Sequence, residues 1–196
     1  MRITKLTKLY VLVLALLGNF RIEPNQTYTQ QLILNEWYDF PDPGVYEVTA
    51  SLAKARQQAE QACLNSTFKI EIVPFDATQV QQTCSGLVDK ISQNVHNVGN
   101  ASDAVQALLV VKHPIVVPFL EEALKANHSV SSDVIWGLAE IGNEQSVRVL
   151  IPLLENPDPE NSDFIQARQA LFDIEKRTKD PATLDLVKTA LAKVRQ

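Results

Sequence analysis

The sequence predicts an α+β chain in which a short antiparallel β-segment precedes a C-terminal α-solenoid of three helix pairs. Three observations predict it. Apolar residues of the second half repeat: a shift of 30 places Val105, Leu108, Val117, Leu120 and Leu124 on Ile135, Leu138, Val147, Leu150 and Leu154. Residues 41–49 and 68–73 carry turn and strand chemistry. Composition sets the scale: 196 residues, 45% hydrophobic and 21% charged, are too apolar for a disordered chain and suit one globular domain or two small ones.

Residues 1–20 admit two readings. Arg2, Lys5 and Lys8 precede the uninterrupted hydrocarbon run Val11 to Leu17, the layout of an export signal. That run is too short to span a bilayer, which takes about 20 residues. The cleavage region is poor, because Leu16 stands where a small residue is wanted if Gly18 precedes the cut. The other reading is a buried strand over Leu9 to Leu14. The protein is expected to be exported, periplasmic or secreted, under the first reading and cytoplasmic under the second. Four N-x-S/T sequons, at Asn25, Asn65, Asn100 and Asn127, would carry glycans only in a eukaryotic secretory route.

Residues 21–75 are expected to form the β-segment. Gln30 to Leu34 reads as a strand. In Pro41 to Thr49 two prolines and a glycine make the turn, and Val45, Tyr46, Val48 and Thr49 supply the strand. Phe68 to Val73 alternates apolar and charged residues, as a strand with one wet face does. Leu52 to Leu64, with its alanines and no breaker, reads as helical by propensity. The P-G-x-Y-x-V pattern of Pro43 to Val48, with Ile22 to Gln26 before a strand, resembles the late strands of bacterial immunoglobulin-like sandwich domains. Such a sandwich takes about 100 residues, so the resemblance implies a reduced sheet or one lacking its front. Residues 76–97 are expected to be a linking helix.

Residues 98–196 hold the repeat. A third copy follows at an offset of 33 in its first helix (Gly137 to Ala170, Leu138 to Leu171, Ile141 to Ile174). In its second helix the offset is 37 (Val147 to Leu184, Leu150 to Val187, Leu154 to Leu191), which places four inserted residues in the Lys176–Asp180 turn. In the middle unit Val134, Leu138 and Ile141 form one stripe, stopped by Gly142-Asn143. Val147, Leu150, Ile151 and Leu154 form the next, ended by Pro157 and Pro159. The second helices are apolar nearly all round, as suits a helix between neighbouring repeats. The segment Trp136 to Asn143, followed by Val147 and Leu150 to Leu154, resembles HEAT-like repeats, particularly the short variety related to phycobilisome-lyase repeats. The resemblance implies a protein-binding solenoid, and a minority of relatives attach bilins. Iron-binding relatives with repeated His-Glu pairs are excluded, since this sequence has none.

The reactive groups are few. Six glycines include no G-x-G, so the dinucleotide fingerprint is absent, and Asn143 and Glu144 stand where a phosphate loop after Gly137 and Gly142 needs Lys and Ser or Thr. His96, His113 and His128, spaced 17 and 15 apart, do not preorganise a zinc site and read as loop or helix-end residues. Cys63 and Cys84 form a disulfide if the chain is exported; otherwise each is a free thiol. No cofactor, metal or catalytic residue is expected.

The candidate binding residues are Trp136 and Glu140. By helical angle Trp136 lies opposite the Val134/Leu138 stripe, beside Asp133 and Glu140. Its repeat equivalents are Gln106 and Gln169, so packing does not require an aromatic there. It is expected either to anchor a partner, as tryptophans do at interfaces, or to pack on the β-segment. Residues 98–175 hold 4 basic and 12 acidic residues, which argues against nucleic acid; from Lys176 onward there are 6 basic and 2 acidic. Asn156 to Asp163 lacks the spacing and glycine of a calcium loop, and helix capping by Ser162 or Asp163 explains its polarity. The expectation is a non-catalytic scaffold that binds another protein, with no membrane span. The alternatives are an accessory to, or relative of, a chromophore lyase, or a structural envelope protein.

Overall fold

The computed structural model describes residues 8–13, 33–34, 40, 42–53, 62–94, 98–155 and 160–194. They make an α+β protein of two compact units, residues 1–75 and 76–196. The expectations for residues 1–7 and 14–20 of the leader, and for Ile22 to Gln26, lie outside the described residues.

The first unit contains a three-stranded sheet in the order β1 (Lys8–Val13), β2 (Gly44–Ala53), β3 (Ala62–Ile72). β2 and β3 are antiparallel, pairing from Gly44↔Ile72 to Leu52↔Leu64 with an irregularity at Leu52/Ala53. This register sorts the side chains by alternation. Tyr46, Val48, Phe68, Ile70 and Ile72 share one face, with Tyr46 and Val48 buried. Glu47 opposes Lys69 on the other face, where the Thr49 and Thr67 hydroxyls lie 3.0 Å apart. Tyr46 donates its hydroxyl proton to the Asp42 carbonyl at 2.6 Å, the geometry of a tyrosine corner, and its ring meets Phe40 edge-on at 5.1 Å.

Three expectations for this unit are corrected. β1 runs parallel to β2, from Lys8↔Glu47 to Val13↔Leu52, so the sheet is mixed rather than antiparallel and reaches back before residue 21. Leu52–Ala53 and Ala62–Leu64 are strand, not helix, because each pairs across β2 and β3. Strand preference is set by such cross-strand neighbours more than by the residue itself. Ile33 and Leu34, at the end of the expected strand Gln30 to Leu34, are not in a strand, and the rest of it lies outside the described residues.

The second unit is helical. α1 (Ala77–Gln93) is capped by Asp76, whose carboxylate accepts from the Thr78 and Gln79 amides. Val80, Cys84, Leu87, Val88 and Ile91 form its apolar stripe, and Cys84, Val88 and Ile91 are buried in the same core as the helices that follow. α1 packs on the next two helices. It is therefore a working part of the core, where a linking helix was expected.

Three helix pairs follow. The first is α2 (Val98–Leu109) and α3 (Val117–Ala126), with a 3-10 turn over Pro114–Val116 between them. The second is α4 (Ser131–Ile141) and α5 (Glu144–Leu150), where α5 runs into a 3-10 turn at Ile151–Leu154. Pro152, lacking an N–H, cannot continue the α-helical ladder there. The third is α6 (Ser162–Arg177) and α7 (Pro181–Val194). Side-chain caps start several helices: the Asn143 Oδ1 accepts from the Ser146 amide, the Asn161 Oδ1 from Asp163, and the Asp180 carboxylate from Thr183. Gly142 ends α4 at φ +59°, where its amide bonds the Leu138 carbonyl at 2.9 Å, the left-handed stop expected of it.

Contacts run between successive pairs: α2 packs on α4 and α4 on α6, while α3 packs on α5 and α5 on α7. The matched positions Leu108, Leu138 and Leu171 are all buried, as are Leu120, Leu150 and Val187, and Leu124, Leu154 and Leu191. The insertion near Lys176–Asp180 is partly an added helical turn, since α6 runs on to Arg177. The Arg177 guanidinium uses that turn to donate to the Ala139 carbonyl at the end of α4, satisfying an acceptor the helix end leaves open. Ser131 Oγ donates to the Asp163 carboxylate at 2.7 Å, a second polar tie between α4 and α6.

Candidate protein-binding face

The outer surface of α2, α4 and α6 is built by the register that buries their inner stripes. Each residue turns the helix by about 100°, so Trp136 stands roughly 160° from Leu138. Leu138 is 0% exposed and Trp136 is 45% exposed. Asp133 and Glu140 lie one turn before and one turn after Trp136, at spacings where helix side chains are neighbours. Glu140 is exposed and Asp133 half-buried. The two predicted residues thus share one face of α4.

The neighbouring helices extend this face. The register places Asp103 of α2 at the Asp133 position and Asp173 of α6 at the Glu140 position. It places Ile165 of α6, 51% exposed, at the position of Ser132. Carboxylates therefore recur in the rows on either side of the Gln106/Trp136/Gln169 row. Asp173 pairs with Lys176 at 3.5 Å and accepts from the Gln169 amide at 3.1 Å. Asp103, Asp133 and Glu140 make no ion pair or side-chain hydrogen bond with another described residue. The other layer differs: Glu121 pairs with Lys125 on α3, and Glu144 with Arg148 on α5, each at 2.6 Å.

The sequence did not single out Asp103, Ile165 or Asp173. The signal was present, because carrying the Trp136 face across offsets of 30 and 33 reaches all three.

Several other polar groups make local caps and turns. His113 Nδ1 accepts from the Ile115 amide, and His128 begins a 3-10 turn, matching the helix-end reading of both; His96 lies outside the described residues. Asn127 is buried, its Oδ1 accepting from the Ser129 amide and hydroxyl, so this sequon is a turn cap whose Nδ2 is enclosed. An open depression of about 770 Å³ lies where the α4–α5 and α6–α7 turns meet, lined by Gly142, Asn143, Arg148, Lys179, Asp180 and Thr183 among others. There the Thr183 hydroxyl and amide hold the Asp180 carboxyl below its ordinary range. No group of three or more His, Cys, Asp or Glu side chains that could hold a metal occurs among the described residues.

Cys84 is a free thiol, 1% exposed in the helical core, and Cys63 belongs to β3. Burial pushes the Cys84 thiol above its ordinary value of 9.0, because the apolar surroundings disfavour the thiolate. The folded state therefore binds this proton more tightly than the unfolded chain. Its contribution to stability is full below pH 9.0 and is lost as pH rises beyond that value through the folded one. In a Cys63→Ser chain, native Cys84 should react with an aromatic disulfide reagent at least about 100-fold more slowly than in denaturant, since reaction needs local opening. Cys84→Ala should flatten the loss of stability above pH 9.0. Rapid native reaction would show that the thiol is accessible.

No family model matches the chain, and no curated protein or solved structure matches it. Among the described residues no helix is long and apolar enough to cross a membrane.

Proposed function

We propose that residues 98–194 form an α-solenoid of three HEAT-like helix pairs, and that the protein is a non-catalytic scaffold binding another protein through the outer face of α2, α4 and α6. The observation that carries this reading is Trp136, 45% exposed at a repeat position that packing leaves to glutamine in the other two pairs. A large aromatic held on a rigid helix loses little conformational freedom on contact and supplies a large apolar area, which is why tryptophan dominates binding hot spots. The order of helix contacts supports the solenoid, since each pair meets the next in two layers.

The test replaces Trp136 by a photo-crosslinking amino acid in cells that make the protein, with Thr189 of α7 as the control site. A discrete adduct from position 136 and none from 189 is the expected result. With that protein as ligand, Trp136→Ala should weaken binding by about 30-fold, roughly 2 kcal/mol, with helicity and urea midpoint unchanged. Unaltered affinity in a folded Trp136→Ala chain overturns the reading.

A further inference from the structure

We infer that the segment docking on this face is cationic, with an apolar side chain seated on Trp136 and Lys or Arg residues reaching Asp133 and Glu140. The inference rests on the binding face proposed above and adds the chemistry of its partner. Two rows of carboxylates flank the tryptophan row. In the first, Asp103 and Asp133 occupy one register position; in the second, Glu140 and Asp173 occupy another. Asp103, Asp133 and Glu140 make no ion pair with another described residue, whereas Glu121 and Glu144 in the other layer are paired within their own helices. Lys176 is engaged with Asp173 at the end of the face, and Arg168 lies over the Phe172 ring, 5.6 Å from its centroid.

The apolar centre and its charged borders ask different things of a ligand. Trp136 and Ile165, 45% and 51% exposed, offer area to an aliphatic or aromatic side chain. The carboxylates repel an acidic or phosphorylated segment and raise the encounter rate of a basic one. The spacing is that of successive helix turns, so Lys or Arg placed on either side of an apolar anchor meets both rows at once. A nucleic acid backbone carries the wrong sign.

The probe is a labelled amphipathic peptide of Leu and Lys, with a Leu and Glu peptide as its counterpart, titrated by fluorescence anisotropy against the full chain. The Lys peptide should bind and the Glu peptide should not. Asp133→Asn combined with Glu140→Gln should weaken binding about tenfold at low salt, and raising ionic strength should erase most of that difference. Glu121→Gln combined with Glu144→Gln, which removes the same net charge from the other layer, should leave affinity within about twofold. Equal losses in the two double variants would mean that only net charge is sensed, and would overturn the inference, as would failure of the Lys peptide to bind. The scaffold reading fails separately: a crosslinked partner that needs Trp136 but ignores Asp133 and Glu140 sinks the cationic segment and leaves the binding face standing.

Discussion

Leu138→Ala is expected to lower the stability of the helical unit by about 3 kcal/mol, read as a shift in the urea midpoint of the helical signal at unchanged slope. Leu138 is 0% exposed in α4, and α4 packs on α2, α3, α5 and α6. Trimming its isobutyl group to a methyl removes favourable transfer energy and opens a cavity in the core that α4 shares with α2, α3, α5 and α6, whose buried leucines Leu108, Leu120, Leu150 and Leu171 are all 0% exposed. The surroundings cannot collapse far, because the α4–α6 approach is also pinned by Ser131 to Asp163 and by Arg177 to the Ala139 carbonyl. Leu191→Ala, in the last helix, is the comparison. In the solenoid proposed above, a terminal substitution uncouples only its own pair, whereas a central one weakens both of its interfaces. The central variant should therefore lose the whole transition at lower urea, and the terminal variant should show an early partial loss. A cost below about 1 kcal/mol for Leu138→Ala would mean the core is not organised around α4.

The helix pairs were legible because their evidence is local and repeated. Leu108, Leu138 and Leu171 recur at offsets of 30 and 33, and the same offsets locate the turns, where Gly142 adopts the left-handed backbone its position suggested. α1 was expected as a linking helix, and its share in the core escaped because it has no counterpart in the repeat. Its stripe from Val80 to Ile91 is as periodic as any other, but Cys84 reads as chemistry first and as a small apolar residue second.

The β-segment was legible where its signal is local, in the turn at Pro43-Gly44 with the strand after it and in the alternation that begins at Phe68. Leu52–Ala53 and Ala62–Leu64 carry helix-forming residues and are held extended by pairing with each other, a non-local fact that propensity does not contain. The parallel pairing of β1 with β2 joins residues about 40 apart in sequence and leaves no mark on either segment. For the candidate site, Trp136 and Glu140 followed from helical angle alone, while Asp103, Ile165 and Asp173 needed the angle carried from one helix to the next.

Gly137→Leu is the second large effect, expected to cost about 3 kcal/mol by overpacking. Gly137 sits where α2 and α4 meet, and a Cβ added there would lie 2.0 Å from Leu109 Cδ2, 3.4 Å from Leu109 Cγ and 3.7 Å from Leu120 Cδ1. Leu109 is half-buried near the end of α2, so the tip of its side chain can turn aside for a single methyl group. Gly137→Ala should therefore fall within about 1 kcal/mol of the native chain, the strain being offset by the better helix propensity of alanine. A leucine has no such escape. Its further three carbons project toward Leu120, which is 0% exposed and fixed in α3, so α4 must move away from α2 and loosen its contact with α6 as well. Urea denaturation of the pair decides the matter: a near-native Gly137→Ala beside a strongly destabilised Gly137→Leu is the signature of close helix packing. Equal stability of the two variants would mean that α2 and α4 do not approach closely, and that glycine holds this position for some reason other than space.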